Sequence, residues 1–558
     1  MNSVTLKSLT EKQRQFLETL QLSDKFPEKI SLSDVMTLRD ESEEAAAQSI
    51  SDVPMLMLKS VVMNNYQLFG SLLSNLASSA APTNEDEDDD WSEDSNTECT
   101  HSMALLQHQD VFLACYLCCD APLKQVLAEK LFDCKLAVPL SWFGGYVSQL
   151  FTLPLRTGEL KYRGQDKVSK QKCINSDSFS VLSVIRLGNN AVSKSQLINR
   201  CVHDKQMVFR ESSTSLGERI FSDGSIEQTW MLPSLNDADL KLNEPVCVLN
   251  LRGDAVKCQQ QMRFLADVST CIIVSLSDDA DKQGEIGDVL KKVFHHNQDI
   301  ILVISSTKVP DFLRQLRSHF GDTFKEKVRI VKEADRKTSS ELLTDVKKRL
   351  HIKMIESKKS MTLTNLGEIA ENSYNMLVDE RQPAVQQVIS NAKELVDTAV
   401  RFHATDRKKT LLPLHGQPWH EISKLQKDRV RDAQKLTGNE RVKQEENDNL
   451  KIKELRRQQI EFLKKGNSRD FILRFIKLFK EASDNGQISI FLRSLKLFLD
   501  GENTRIQKSN SVAPADLQAS VFGVEHIFRE LSQLYEATLN NERVAEQLWI
   551  PTGLSCHT

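Results

Sequence analysis

The sequence predicts an α/β domain, a mostly parallel sheet with crossover helices, flanked by all-α N- and C-terminal regions. Three observations carry this reading. Between residues 178 and 330, short β-branched runs (FSVLSVIRL, IEQTWMLP, PVCVLNL, TCIIVSLS, DIILVISS, VRIV) alternate with helix-length segments, the pattern of strands joined by crossover helices. Glycine and proline are sparse, 20 and 14 in 558 residues, while Leu, Lys, Glu and Gln abound, which favours helix. After about Ser339 the β signal vanishes and amphipathic patterns take over.

In chain order, residues 1–80 read as a helical region punctuated by Pro27 and Pro54. Residues 81–102 form an acidic linker. Its run NEDEDDDWSEDSNTE is too dense in like charge to pack, so it is expected to be solvated and disordered. A helical region at 103–174 leads into the α/β domain at 175–418, whose core spans about 178–355 and continues as a helical extension. Residues 419–558 complete the chain as helices. Phe471–Lys480 and Ile488–Leu499 are expected to pair around the turn Asp484-Asn485-Gly486.

The 73 Lys and Arg balance 77 Asp and Glu, giving a net charge of −4. This excludes a globally basic nucleic-acid coat and a globally acidic disordered chain. No window offers the roughly 18 apolar residues of a membrane span. The first residues lack a signal peptide's apolar stretch, so cytoplasm with access to the nucleus is the expected compartment. Eleven scattered cysteines fit reduced thiols. Cys115, Cys118 and Cys119 share one helical face and read as core rather than as zinc ligands. Residues 407–480 carry 20 Lys and Arg against 10 Asp and Glu. Aromatic interleaving is absent from 424–457, which favours a solvated helical stalk over nucleic-acid binding. The Phe471, Phe475 and Phe479 stripe reads as hairpin core. No serine-hydrolase or kinase motif set occurs.

The informative element is the end of the first long strand. There Gly188-Asn189-Asn190-Ala191-Val192-Ser193-Lys194-Ser195 precedes the helical QLINRCV. A phosphate loop reads G-x-x-x-x-G-K-[S/T] between strand and helix, and only the second glycine is replaced, by Ser193. Backbone N–H groups at a helix start cradle phosphate, a lysine holds the terminal phosphates, and a hydroxyl binds Mg²⁺. Lys194 and Ser195 have those chemistries. Thr214, twenty residues on, is placed to sense the γ-phosphate and reach the metal. Asn250-Leu251-Arg252-Gly253-Asp254 stands where D-x-x-G is expected. Gly253 is in place, and Asp254 is the candidate for the displaced metal-side acid. Thr307-Lys308-Val309-Pro310-Asp311 is a stretched N/T-K-x-D guanine motif, with Thr307, Lys308 and Asp311 as its candidate contacts.

These segments make the chain an α/β P-loop GTPase-like domain between helical arms. The runs VIRLGNNAVSKSQLIN, RGDAVKCQQQMRFLADVSTCIIVSLSD and LLPLHGQPWHEISKLQKD, with FPEKISLSDVMTLRDES upstream, resemble the very large inducible GTPase family. That family comprises the interferon-induced very large GTPases and the related up-regulator of cell proliferation. The resemblance implies a large G domain that binds GTP with Mg²⁺, in cytosolic or nuclear proteins that are often interferon-responsive. It also implies that serine before the lysine of the loop is a family trait. No positioning glutamine is evident, so slow or assembly-stimulated hydrolysis is expected, with self-association through the G domain or the helical arms. Two alternatives stay open: a weak or inactive pseudo-GTPase acting as a helical scaffold, and adenine in place of guanine.

Overall fold

The computed structural model describes residues 4–36, 49–65, 107–156, 158–188, 193–203, 206–210, 219–235, 237–276, 284–295, 299–305, 311–334, 336–357, 359–412, 414, 417–432, 438–463, 466–509 and 520–539. The acidic linker, Asn189–Val192, Thr214, Thr307 and Lys308 lie outside the described residues. The chain divides into two compact units, Met1–Gln382 and Pro383–Thr558. The division falls inside the helical extension that the sequence reading attached to the α/β domain.

The first unit opens with α1 (Glu11–Thr19), α2 (Val53–Val62), α3 (His108–Cys118) and α4 (Ala121–Asp133). Local signals start them. Thr10 and Gln13 form a reciprocal capping box on α1, and the Asp120 carboxylate accepts the Leu123 N–H at 2.8 Å on α4. Helix α3 is buried from Asp110 to Cys118, so it sits inside the core. Cys115, Cys118 and Cys119 are fully buried there, free of disulfides, as small hydrophobes.

Residues 138–173, read from the sequence as part of a helical region, form strands instead: β1 (Val138–Phe143), β2 (Ser148–Leu150), β3 (Glu159–Arg163) and β4 (Ser169–Cys173). The alternation then follows the expected order. It runs β5 (Ser180–Leu187), α5 (Lys194–Val202), β6 (Ile226–Met231), β7 (Val246–Leu251), α6 (Gln259–Val268) and β8 (Cys271–Leu276). It continues with α7 (Gly284–His295), β9 (Asp299–Ile304), α8 (Asp311–Lys327) and β10 (Val328–Val331). Helices α9 (Ser339–Glu356) and α10 (Leu363–Tyr374) and the two-residue β11 (Leu377–Val378) close the unit.

Nine strands make one sheet in the order β10-β9-β8-β5-β7-β6-β1-β2-β11, while β3 and β4 pair as a separate hairpin. Strands β10, β9, β8, β5 and β7 are parallel, and β6, β1 and β2 extend the sheet antiparallel. This is a mostly parallel sheet of the α/β nucleotide-binding class. The parallel strands β7, β8 and β9 are buried along their whole length, because both faces are covered. On one face Leu182, Val184, Val246 and Val248 pack with Leu197 and Ile198 of α5. On the other, Ile185, Leu187, Leu249 and Leu251 pack with Phe264 and Leu265 of α6. Strand β5 lies between β7 and β8, so the connections leaving it diverge. The crevice at its carboxyl end is a topological switch point, where ligands of such sheets bind.

The short β11 is held by one buried carboxylate. Asp379 accepts the N–H groups of Thr152 at 2.8 Å, Leu153 at 3.0 Å and Glu380 at 2.7 Å. Burial pushes its pKa up to about 6, opposed by those N–H groups. Its folded pKa therefore exceeds the unfolded value near 3.8, so its stabilising contribution is present at low pH and is lost as pH rises through about 6. Asp379→Asn keeps an acceptor oxygen without the charge. Relative to wild type it should gain on the order of 1–3 kcal/mol between pH 4 and pH 7. Urea denaturation at the two pH values checks this, and a constant difference between the proteins contradicts it.

The second unit is helical: α11 (Pro383–Val400), α12 (Gln417–Asp432), α13 (Gly438–Leu463), α14 (Gly466–Asp484), α15 (Ile488–Ser509) and α16 (Val524–Leu539). Helices α14 and α15 form the expected hairpin, with Gly486 at φ 66° in its turn. Phe471, Phe475 and Phe491 are buried in the core of this unit. Among the described residues no helix is long and apolar enough to cross a membrane.

Candidate functional site

The switch-point crevice is built from the ends of β5 and β7 and the start of α5. Ser193 is the N-cap of α5, its Oγ accepting the Gln196 N–H at 3.3 Å. Serine thus supplies a helix cap at the position where a second glycine was expected. Lys194 and Ser195, the first two helical residues, are both buried. The unpaired N–H groups and positive dipole end of α5 point into the crevice.

Lys194 is only 8% exposed. Its Nζ donates to the carbonyl oxygens of Leu251 and of Gly253, the latter at 3.3 Å. Burial, then the charges of Arg186, Arg252 and Arg219, push its pKa down to about 7. The lysine at the head of the helix is therefore clasped by the N-x-x-G turn. That turn is itself fixed. Arg252 lays a two-pronged ion pair on Glu227 at 2.8 and 2.9 Å, joining β7 to β6. Gly253 has φ 88°, and a Cβ there would come within 2.2 Å of the Asp223 carboxylate.

Asp254 accepts the Gly188 N–H with both carboxylate oxygens at 3.1 Å, and Oδ1 also accepts the Val256 N–H at 3.0 Å. The candidate metal-side acid is thus committed to the first glycine of the loop. Asn250, fully buried, lies opposite Val184 on the α5 side of the sheet. Neither its Nδ2 nor its Oδ1 has a partner among the described residues. The orphaned Asn250 amide and the buried Ser195 hydroxyl are both neutral oxygen donors. They suit a hard cation brought in by phosphate oxygens. Among the described residues no group of three or more His, Cys, Asp or Glu is placed to hold a metal ion by itself.

The segment carrying Thr214 is anchored on both sides. Asn199 of α5 exchanges two hydrogen bonds with Phe209, at 2.8 and 2.6 Å, and Arg252 donates to the Arg210 carbonyl. Downstream, the buried Asp110 of α3 accepts the N–H groups of Ile220, Phe221 and Ser222 at 2.9, 3.0 and 2.6 Å. Asp311, the last residue of the stretched guanine motif, opens α8 beyond the carboxyl end of β9. It is exposed and 3.0 Å from Arg314 of the same helix. The sequence reading missed Asp110, Asp223, Arg219 and the orphan character of Asn250. Their roles come from contacts between segments, and Asp110 alone has a local signal, an acid in the first turn of a helix.

The family model of the Up-regulator of cell proliferation-like domain matches residues 106–396, more than half of the chain. The chain belongs to that family. It is 23% identical to human (Homo sapiens) interferon-induced very large GTPase 1 over 94% of this chain and 23% of the relative. To the Mus musculus protein of the same name it is 25% identical over 81% of this chain and 20% of the relative. To the up-regulator of cell proliferation of Bos taurus it is 29% identical over 31% of this chain and 20% of the relative. The chain thus spans about a quarter or less of the length of these relatives.

Gly253→Ala tests the turn that clasps Lys194. The positive φ alone should cost about 1–2 kcal/mol, measured by chemical denaturation. Asp223 must also swing aside, so Gly253→Ala with Asp223→Ala should be less destabilised than the sum of the single variants. Strict additivity contradicts the close approach.

Proposed function

We propose that this chain binds GTP at the head of α5 and hydrolyses it to GDP and phosphate with Mg²⁺. The observation that carries the reading is a buried lysine at a helix start, at the switch point of a mostly parallel sheet, in the family matched above. The name of the human relative, interferon-induced very large GTPase 1, supports guanine over adenine.

In this reading Lys194 exchanges the Leu251 and Gly253 carbonyls for β- and γ-phosphate oxygens. The N–H groups of the 188–195 loop wrap the β-phosphate. Ser195 Oγ and Asn250 Oδ1 would hold Mg²⁺, with Thr214 the candidate further ligand when the γ-phosphate is present. Mg²⁺, when bound, neutralises charge developing between the β- and γ-phosphates. Asp254 keeps Gly188 in register. Thr307, Lys308 and Asp311 are the candidate guanine contacts, since they follow β9 in the chain and β9 lies beyond β8 from β5. The motifs offer no evident water-positioning glutamine, and the turnover we infer is slow until self-association raises it. The expected setting is the cytoplasm, with access to the nucleus.

Calorimetric titration with GTP and Mg²⁺ tests the site. Lys194→Ala should bind about 10- to 100-fold more weakly, the worth of charge-assisted hydrogen bonds to phosphate. Single-turnover phosphate release above a no-protein control is expected from wild type. Equal GTP affinity in the two proteins overturns the assignment, and excess ATP displacing GTP overturns guanine specificity.

A further inference from the structure

The carboxylates around Lys194 are already engaged, and two arginines beside them have donors to spare. Glu227 is held by Arg252, while Asp254 and Asp110 accept backbone N–H groups. Arg186, on β5 two residues before Gly188, and Arg219 each keep a buried Nε with no partner among the described residues. Arg219 stands against Asp223 at 3.7 Å, beyond hydrogen-bond length.

The place of Arg219 follows from successive contacts. Its guanidinium faces Asp223, and the Asp223 carboxylate covers the bare face of Gly253. The Gly253 carbonyl is 3.3 Å from Lys194 Nζ. Its backbone is steadied by the three N–H groups that follow it, all donated to Asp110. Arg219 therefore lies beyond Lys194, on the Gly253 side, where the terminal phosphate of a bound triphosphate would extend. A desolvated guanidinium N–H without an acceptor is costly unless an anion arrives to take it.

We propose that Arg219 is a built-in cation for the terminal phosphate of a nucleoside triphosphate. The chain then supplies within itself a charge that other such sites receive from a second protein. The inference rests on the nucleotide reading above and deepens it, because Arg219 serves the third phosphate and not the first two.

The test measures GTP and GDP affinities of the full chain with Mg²⁺, by calorimetry, in wild type and Arg219→Gln. Arg219→Gln should weaken GTP about 10- to 100-fold and leave GDP nearly unchanged, and single-turnover phosphate release should slow. Should that variant fail to fold, Asp223→Asn carries the test. Freed from its carboxylate neighbour, Arg219 should raise the preference for GTP over GDP about two- to fivefold. Wild type that takes up neither nucleotide overturns the nucleotide reading and this inference with it. Wild type that binds both, with a GTP-to-GDP ratio unmoved by either variant, overturns the inference alone.

Discussion

A lysine held inside the protein by two carbonyl oxygens is the constraint on which the rest of this site depends. Burying an ammonium group is costly, and Lys194 meets carbonyl dipoles and neighbouring arginines rather than a carboxylate. The carbonyls of Leu251 and Gly253 must therefore be aimed at it. Their aim depends on the Arg252–Glu227 pair, the left-handed Gly253 and the Asp110 carboxylate holding the 220–222 turn. Residues far apart in the chain serve one cation. A fold that needed only stability would place a hydrophobe there.

Local roles account for the residues that depart from the candidate motifs. Ser193, where a second glycine was expected, caps α5. Asn250, in place of an acid, adds no charge to the α5 side of the sheet, yet brings an oxygen to it. Asp254, the candidate metal-side acid, accepts the N–H of Gly188.

The parallel part of the sheet was legible because β5, β7, β8 and β9 are buried for most or all of their length and so read as mostly apolar, β-branched runs. The antiparallel extension was not. Strand β2 has three residues and β11 two, too short for any period, and β3 and β4 are polar and half exposed. Of the loop Gly188–Ser195, the spacing placed Ser193 and Lys194 at the start of a helix, and α5 begins there. Arg219, Asp223 and Asp110 were not legible, because each acquires its role only when β6, β7 and α3 converge. Asp311, the described end of the candidate guanine motif, opens α8. Its carboxylate stands near Arg314 on its own helix.

The most direct measurement is the thermal unfolding midpoint of the full chain across a range of GTP concentrations at fixed Mg²⁺. A ligand that binds only the folded state adds RT ln(1 + [L]/Kd) of stability. If the cations of this crevice are arranged for a triphosphate, the midpoint climbs with each tenfold increase in GTP above Kd, more steeply than with inorganic phosphate. A midpoint that stays fixed up to millimolar GTP would contradict the account.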